Sequence, residues 1–243
     1  MNSLIIITII IISIAQSIFG VGVLLFGTPL LLLYGYDFVP ALYLLLPISI
    51  FISLLQTFSF INKIKFDFFL KFLFFSVPFV IVFLFLGIAN NFEFGLFVGI
   101  LLIIISLKKR LSLFRFFFDF IGKFERTNFM IMGILHGLTN LGGSLLTAMV
   151  FNKDLSKYET RSTIAICYAT FAFFQLFTIT FLSKNQTQNY EFDFSLLLIG
   201  VLVFLFCEKL IFIKINKQKY ETFFSLFLFA SGTSLIIKEI GAY

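Results

Sequence analysis

The chain contains no tryptophan, one histidine, two cysteines, four prolines and only 12 acidic residues among 243. Each shortage excludes something. Cys167 and Cys207 lie inside or at the end of apolar runs, with no partner at metal-ligand spacing, so they read as small buried hydrophobes and imply neither a disulfide framework nor a metal site. The carboxylates fall in or near the connections between apolar runs, Glu208 being the nearest to the middle of one. That leaves no carboxylate pair for acid–base work inside a membrane, no HExxH, no Ser/His/Asp set with an intramembrane acid, and no acidic cage for a cation. Catalysis is disfavoured on this reading, and no cofactor is expected.

Charge as a whole is scarce. Charged residues make up 12% of the chain, against about 25% in an ordinary soluble domain. With 60% hydrophobic residues and a mean hydropathy of +1.08, the composition is that of an all-α polytopic membrane protein. The 40 phenylalanines accompany many Ile, Lys and Asn, a bias that suits an AT-rich coding genome better than any chemistry. The net charge of +6 comes from lysines and arginines in short connections, so it reports orientation in a lipid bilayer and not nucleic-acid binding. The start, MNSLIIITII, lacks a basic leading region and a cleavage site, and is expected to stay as a membrane segment.

What is present is a repeat. In residues 15–32, AQSIFGVGVLLFGTPLLL, an apolar run is interrupted by Gly20, Gly22, Gly27 and Pro29. Residues 135–152, LHGLTNLGGSLLTAMVFN, align with it without gaps at an offset of 120, pairing Gln16 with His136, Gly20 with Asn140 and Gly22 with Gly142. Glycine and proline weaken helix interiors, and paired interrupted segments in two halves of a membrane protein point to a transporter's central site. The expected organisation is repeat 1 over residues 1–107, an amphipathic interfacial linker over 108–127, and repeat 2 over 128–243. Each repeat is a broken segment (4–33 and 129–151) followed by three spans.

Loop charge makes this more specific. The basic connections are 62–71, 108–127, 152–161 and 208–221. If every apolar segment crossed once, the first two would face one side of the membrane and the last two the other, against the rule that Lys and Arg gather in cytoplasmic loops. A re-entrant hairpin at 129–151 puts all four on the cytoplasmic side and the acidic connections at Asp37, Glu93 and Glu191/Asp193 outside. The repeats are then inverted, each opening with a helical hairpin. The competing reading is eight simple spans with a weak charge bias.

Candidate binding residues cluster at the breaks. A hairpin tip leaves backbone NH groups without helical partners, and these need a ligand, water or side chains in hydrocarbon. Helix N-termini pointing at the membrane centre favour an anion, which glycine lets approach the backbone. The expected substrate-binding set is Gln16, Gly20, Gly22, Thr28, His136, Asn140, Gly142, Gly143 and Ser144, with Gln56 and Gln175 from the following spans behind them; Ser17, Thr139 and Thr147 are further polar neighbours. Against this stands packing by small residues and interhelical hydrogen bonding, which is the favoured reading for any single Ser or Thr. His136 suits either proton coupling or plain hydrogen bonding, since its counterpart Gln16 is neutral.

Three stretches, AQSIFGVGVLLFGTPLLL, its echo LHGLTNLGGSLLTAMV, and KYETRSTIAICYAT, resemble the TauE/SafE sulfite exporter family of anion permeases. The resemblance implies a permease of the bacterial inner membrane for sulfite, sulfonates or related organic anions, with the broken segments forming the substrate path. The three-glycine runs common in that family are reduced here to Gly20-Val21-Gly22 and Gly142-Gly143. Export of a small anion leads; a non-transporting membrane scaffold or assembly subunit is the alternative. The sequence leaves a homo-oligomer open. Single cysteines introduced at 62–71 and 152–161 are expected to react with an impermeant thiol reagent from the same face of the membrane; labelling from opposite faces would refute the hairpin.

Overall fold

The computed structural model describes residues 3–90, 92–107, 124–151, 153, 155–182, 193–211 and 217–241. Most of the predicted linker, 108–123, lies outside the described residues, as do 183–192, with Glu191. The described residues are mostly helical, joined by short turns, and include no strands.

The first apolar run is two helices. α1 (Ser3–Phe19) and α2 (Val23–Leu33) break at Gly20–Gly22 and fold back on each other. A Cβ on Gly27 would come within 3.2 Å of Ile12, eight residues before Gly20. Gly27 and Pro29, read above as interruptions, instead sit inside α2. The break therefore belongs to Gly20–Gly22 alone, and Gly27 serves the close approach of Ile12 and Leu45. With 11 residues, α2 runs about 17 Å, too short for a hydrocarbon core of about 30 Å.

α3 (Phe38–Ser59) follows as a full span. α4 (Phe66–Phe75) and α5 (Val77–Ala89) together make another of 24 residues, jointed at Ser76 ahead of Pro78, which occupies the first turn of α5 where its missing NH costs nothing. α6 (Phe94–Leu107) completes the first half. In the second half α7 begins at Glu125, earlier than the predicted 129, and runs to Thr139. α8 (Gly143–Phe151) is a nine-residue arm, again too short to cross. α9 (Lys157–Phe177) starts on a full capping box between Ser156 and Glu159 and continues into a π-turn over Thr178–Leu182. α10 (Phe194–Ile211) and α11 (Lys217–Gly241) follow.

Helix faces are arranged as lipid demands. α1 turns Leu4, Ile7 and Ile11 outward and buries Thr8, Ser13, Gln16 and Ser17. α3 exposes Phe51 and Phe58 and buries Ser49, Ser53 and Gln56 on one face. α9 exposes Phe173 and Phe177 and buries Ser162, Thr163 and Gln175. Apolar outside and polar inside is the order for a hydrocarbon solvent, where polar side chains face the bundle.

The two halves interlock. α3 packs on α9 and α6 on α11, while α1 packs on α10 and α7 on α5. Where α6 crosses α11, a Cβ on Gly232 would be 2.8 Å from the Gly99 carbonyl, and Ser225 Oγ donates to the Ser106 carbonyl at 2.7 Å. The connections from both halves meet at one end: Lys65 pairs with Glu159 at 2.6 Å, and Glu125 takes both Lys71 at 2.8 Å and Lys153 at 2.7 Å. Exposed pairs of this kind add about 0–1 kcal/mol each, so they locate the loops more than they stabilise them. Gly232→Leu is expected to destabilise the bundle by about 1–3 kcal/mol through overpacking of the α6–α11 crossing, read as a lower melting temperature in detergent.

Candidate functional site

Each hairpin turns at a left-handed residue. Gly20 has φ 74° and Asn140 has φ 62°, the same place at the offset of 120. Glycine adopts this conformation without strain and asparagine tolerates it better than most residues. Two residues on, Gly22 and Gly142 lie against the backbone of their own first arms. A Cβ would be 2.6 Å from the amide nitrogen of Gln16 in one case and 3.0 Å from that of His136 in the other, where it would also strike the Met132 carbonyl. The close approach these glycines permit is therefore that of the hairpin's own backbone.

The first corner is closed by side chains. Gln16 Oε1 accepts from the amide of Val23 at 3.1 Å, its Nε2 donates to the Gly20 carbonyl at 3.1 Å and to Gln56 Oε1 at 3.0 Å, and Gln56 Nε2 donates to the Gln16 carbonyl at 3.3 Å. One glutamine thus spans the break, and a second, from α3, braces it. At the second corner Gln175 of α9 occupies the equivalent place, donating to the His136 carbonyl at 3.2 Å. The imidazole stacks on Phe171, with ring centroids 3.8 Å apart and planes 17° off parallel. Its two nitrogens make no regular hydrogen bond although the ring is fully buried, and Gln175 Oε1 likewise accepts none. The bond to the carbonyl orients the Gln175 amide with its oxygen free to take an imidazole N–H.

The second corner meets the middle of α2 through Asn140, whose Nδ2 donates to Thr28 Oγ1 at 2.7 Å, a buried bond between the halves. Because a hydroxyl can donate as well as accept, the same contact is satisfied with the amide turned over, which would present NH₂ to the interior in place of the unpartnered Oδ1. Tyr168 brings its hydroxyl against Gly143. Ser144, Ser17, Thr139 and Thr147 instead bond to carbonyls three or four residues back on their own helices. The first amides of α8 are also partly satisfied locally, Ser144 by Leu141 and Leu145 by Gly142. Of the predicted set, Gln16, Gly20, Gly22 and Gln56 form the first corner, while His136, Asn140, Gly142, Gly143 and Gln175 form the second. Thr28 joins them.

One residue escaped the sequence reading. Arg161, assigned there to the polar connection 152–161, lies in the second turn of α9 and is only 5% exposed. Its Nη2 donates to Glu208 Oε1 at 2.6 Å and reaches the Ser17 carbonyl at 3.4 Å, beside the first corner. A helix N-terminus signal at Ser156–Glu159 was available and would have moved the start of this span back to include it. A cavity of about 410 Å³ lies elsewhere, where α2, α5 and α11 end and α3 and α6 begin, with Asp37, Glu93, Lys238 and Glu239 on its walls. No group of acidic, histidine or cysteine side chains among the described residues could hold a metal.

Paired broken helices enclosing buried neutral polar groups, within an apolar-faced bundle, define an integral membrane protein of the permease class. The family model for the sulfite exporter TauE/SafE matches residues 5–235, and the chain belongs to that family. Among curated proteins and solved structures, none matches.

The hydrogen bonds of Gln16 set a test. Gln16→Leu strands the Val23 amide and the Gln56 side chain, and is expected to cost about 1–3 kcal/mol. His136→Gln, which copies the first corner, should leave the protein as stable as wild type. Thermal unfolding of the two variants side by side checks both.

Proposed function

We propose that this protein is a multi-pass permease of the bacterial inner membrane that exports a small anion, such as sulfite, an organosulfonate or a related carboxylate, from the cytoplasm. Its family is one of sulfite-exporter-type membrane permeases, and transport, not catalysis, is the activity this supports. The observation that carries the reading is the second corner bonded across the halves to α2 through Asn140 and Thr28, with His136, Asn140 and Gln175 keeping polar atoms without a regular partner in a buried place. Polar atoms left open in an otherwise sealed interior are where a ligand would bind.

The substrate then binds between the corners, with Gln16, Gly20, Gly22, Thr28 and Gln56 on one side and His136, Asn140, Gly142, Gly143, Ser144 and Gln175 on the other. The repeats run from 1 to 107 and from 128 to 243, inverted about an axis in the membrane plane. Two facts favour this: helix pairing exchanges between the halves, α1 on α10 against α7 on α5, and the connections 62–71 and 152–161 come together through Lys65 and Glu159. Asp37 and Glu93 lie at the opposite end, and the tendency of Lys and Arg to gather in cytoplasmic loops favours the basic end as the cytoplasmic one. Export needs no proton relay, because an interior-negative potential supplies about 2.3 kcal/mol per charge per 100 mV.

Vesicles reconstituted with the protein and loaded with sulfite, methanesulfonate or acetate provide the test. At least one of these anions should leave faster than from protein-free vesicles. Asn140→Gly, which keeps the left-handed corner and removes the amide, should lower that flux more than tenfold, since losing a donor to a charged ligand costs about 1.5–3 kcal/mol, while Cys207→Ala leaves it unchanged. Equal flux from the two variants would move the site away from the corners.

A further inference from the structure

We infer that Arg161 is an anion-recognition residue at the first hairpin corner, and that Glu208 is the built-in counter-anion which the transported anion displaces. This rests on the permease reading above and names a binding group that reading does not include.

Position comes first. Arg161 projects from α9 to the end of α1, its Cγ 3.7 Å from the place a Cβ would occupy on Gly20 and its Nη2 3.4 Å from the Ser17 carbonyl. The guanidinium is thereby held beside the break that closes around Gln16. At the repeat offset its place is taken by Ala41, or by Leu42 if the register slips by the one residue that separates Gln56 from Gln175; both are fully buried and apolar. The other half of the fold is built without a charge here, so the arginine is not a requirement of the repeat.

Stability does not explain the pair. Burying two ions costs about as much as their attraction returns, and a packed apolar pair commonly does as well. Arg161 is nonetheless buried in the bundle, near the end where Lys65 meets Glu159, and ionisable groups that face the interior of a membrane bundle commonly mark substrate or ion pathways.

The two partners are unequally buried. The arginine side chain is 4% exposed and the glutamate 22%, so Arg161 is the fixed member and Glu208 the more accessible one. A glutamate carboxylate presents to the guanidinium fork the same charge and oxygen spacing as a free carboxylate, sulfite or sulfonate. An entering oxyanion can take its place on Nη2 while Glu208 turns out to water, so that the buried arginine is neutralised at every stage. The chemistry selected is a small oxyanion with at least two accessible oxygens.

Calorimetric titration of sulfite, methanesulfonate and acetate into detergent-purified protein tests this, with flux in vesicles measured on the same preparations. Glu208→Gln removes the competitor and is expected to bind the transported anion at least tenfold more tightly than wild type. Arg161→Lys keeps the charge but loses the fork, and is expected to bind it at least tenfold more weakly. Adding Arg161→Gln to Glu208→Gln should abolish the gain. A merely structural cap on the α1 terminus would lower the melting temperature in these variants and leave affinity unmoved. Equal affinity in wild type and Glu208→Gln, wild-type affinity in Arg161→Lys, or no binding of any of the three anions overturns the inference. The permease reading survives any of these if flux persists. Binding that follows Arg161 and Glu208 without flux would sink the permease reading instead. Should Glu208→Gln fail to fold, Arg161→Lys, which preserves the buried pair, decides alone.

Discussion

A backbone amide or carbonyl inside a bilayer has no water to turn to, and the architecture follows from how this chain breaks two helices under that constraint. Cutting a helix exposes the last carbonyls of one arm and the first amides of the next. At the first corner Gln16 answers both, accepting from Val23 and donating to Gly20, and Gln56 fixes Gln16 in turn. The corner is thus held by α3 as well as by its own arms. Gln175 of α9 does the corresponding service at His136, which ties the second corner to the helix that packs on α3. Both corners are braced from the central helix pair.

That arrangement separates stabilising polar groups from available ones. Gln16 and Gln56 use their donors on the protein itself. His136, Asn140 and Gln175 keep polar atoms without a regular partner: the imidazole nitrogens and the two amide oxygens. The repeat is symmetric in backbone shape, with left-handed residues at Gly20 and Asn140, but asymmetric in chemistry. An ion pair supplies further asymmetry, since Arg161 and Glu208 stand beside the first corner only.

The ends of the bundle differ as well. One is strapped across the halves by Lys65, Lys71, Lys153, Glu125 and Glu159, while the other holds an open cavity with Lys238 bonded to the Leu32 carbonyl at 2.7 Å. The cavity lies against the loops and not at the corners, so its volume alone says little about where substrate is held.

Much of this was legible in the chain. The apolar runs, the breaks at Gly20–Gly22 and Asn140–Gly142, the shared offset, and the family resemblance all depend on residues close together in sequence, where composition and spacing act directly. Even Gln56 and Gln175 could be marked, because an amide deep in an apolar span must face other protein. What each amide would touch was another matter. That Gln16 would satisfy its own corner, that Asn140 would find Thr28 across 112 residues, and that Arg161 would be buried against Glu208 47 residues away were decided by how whole helices dock. Partners so distant in the chain are brought together only by packing, and no local pattern encodes the register of that packing. Pro29 shows the same limit from the other side: its missing amide marks a weak point in any helix, yet neighbours on α1 and α3 hold α2 continuous through it.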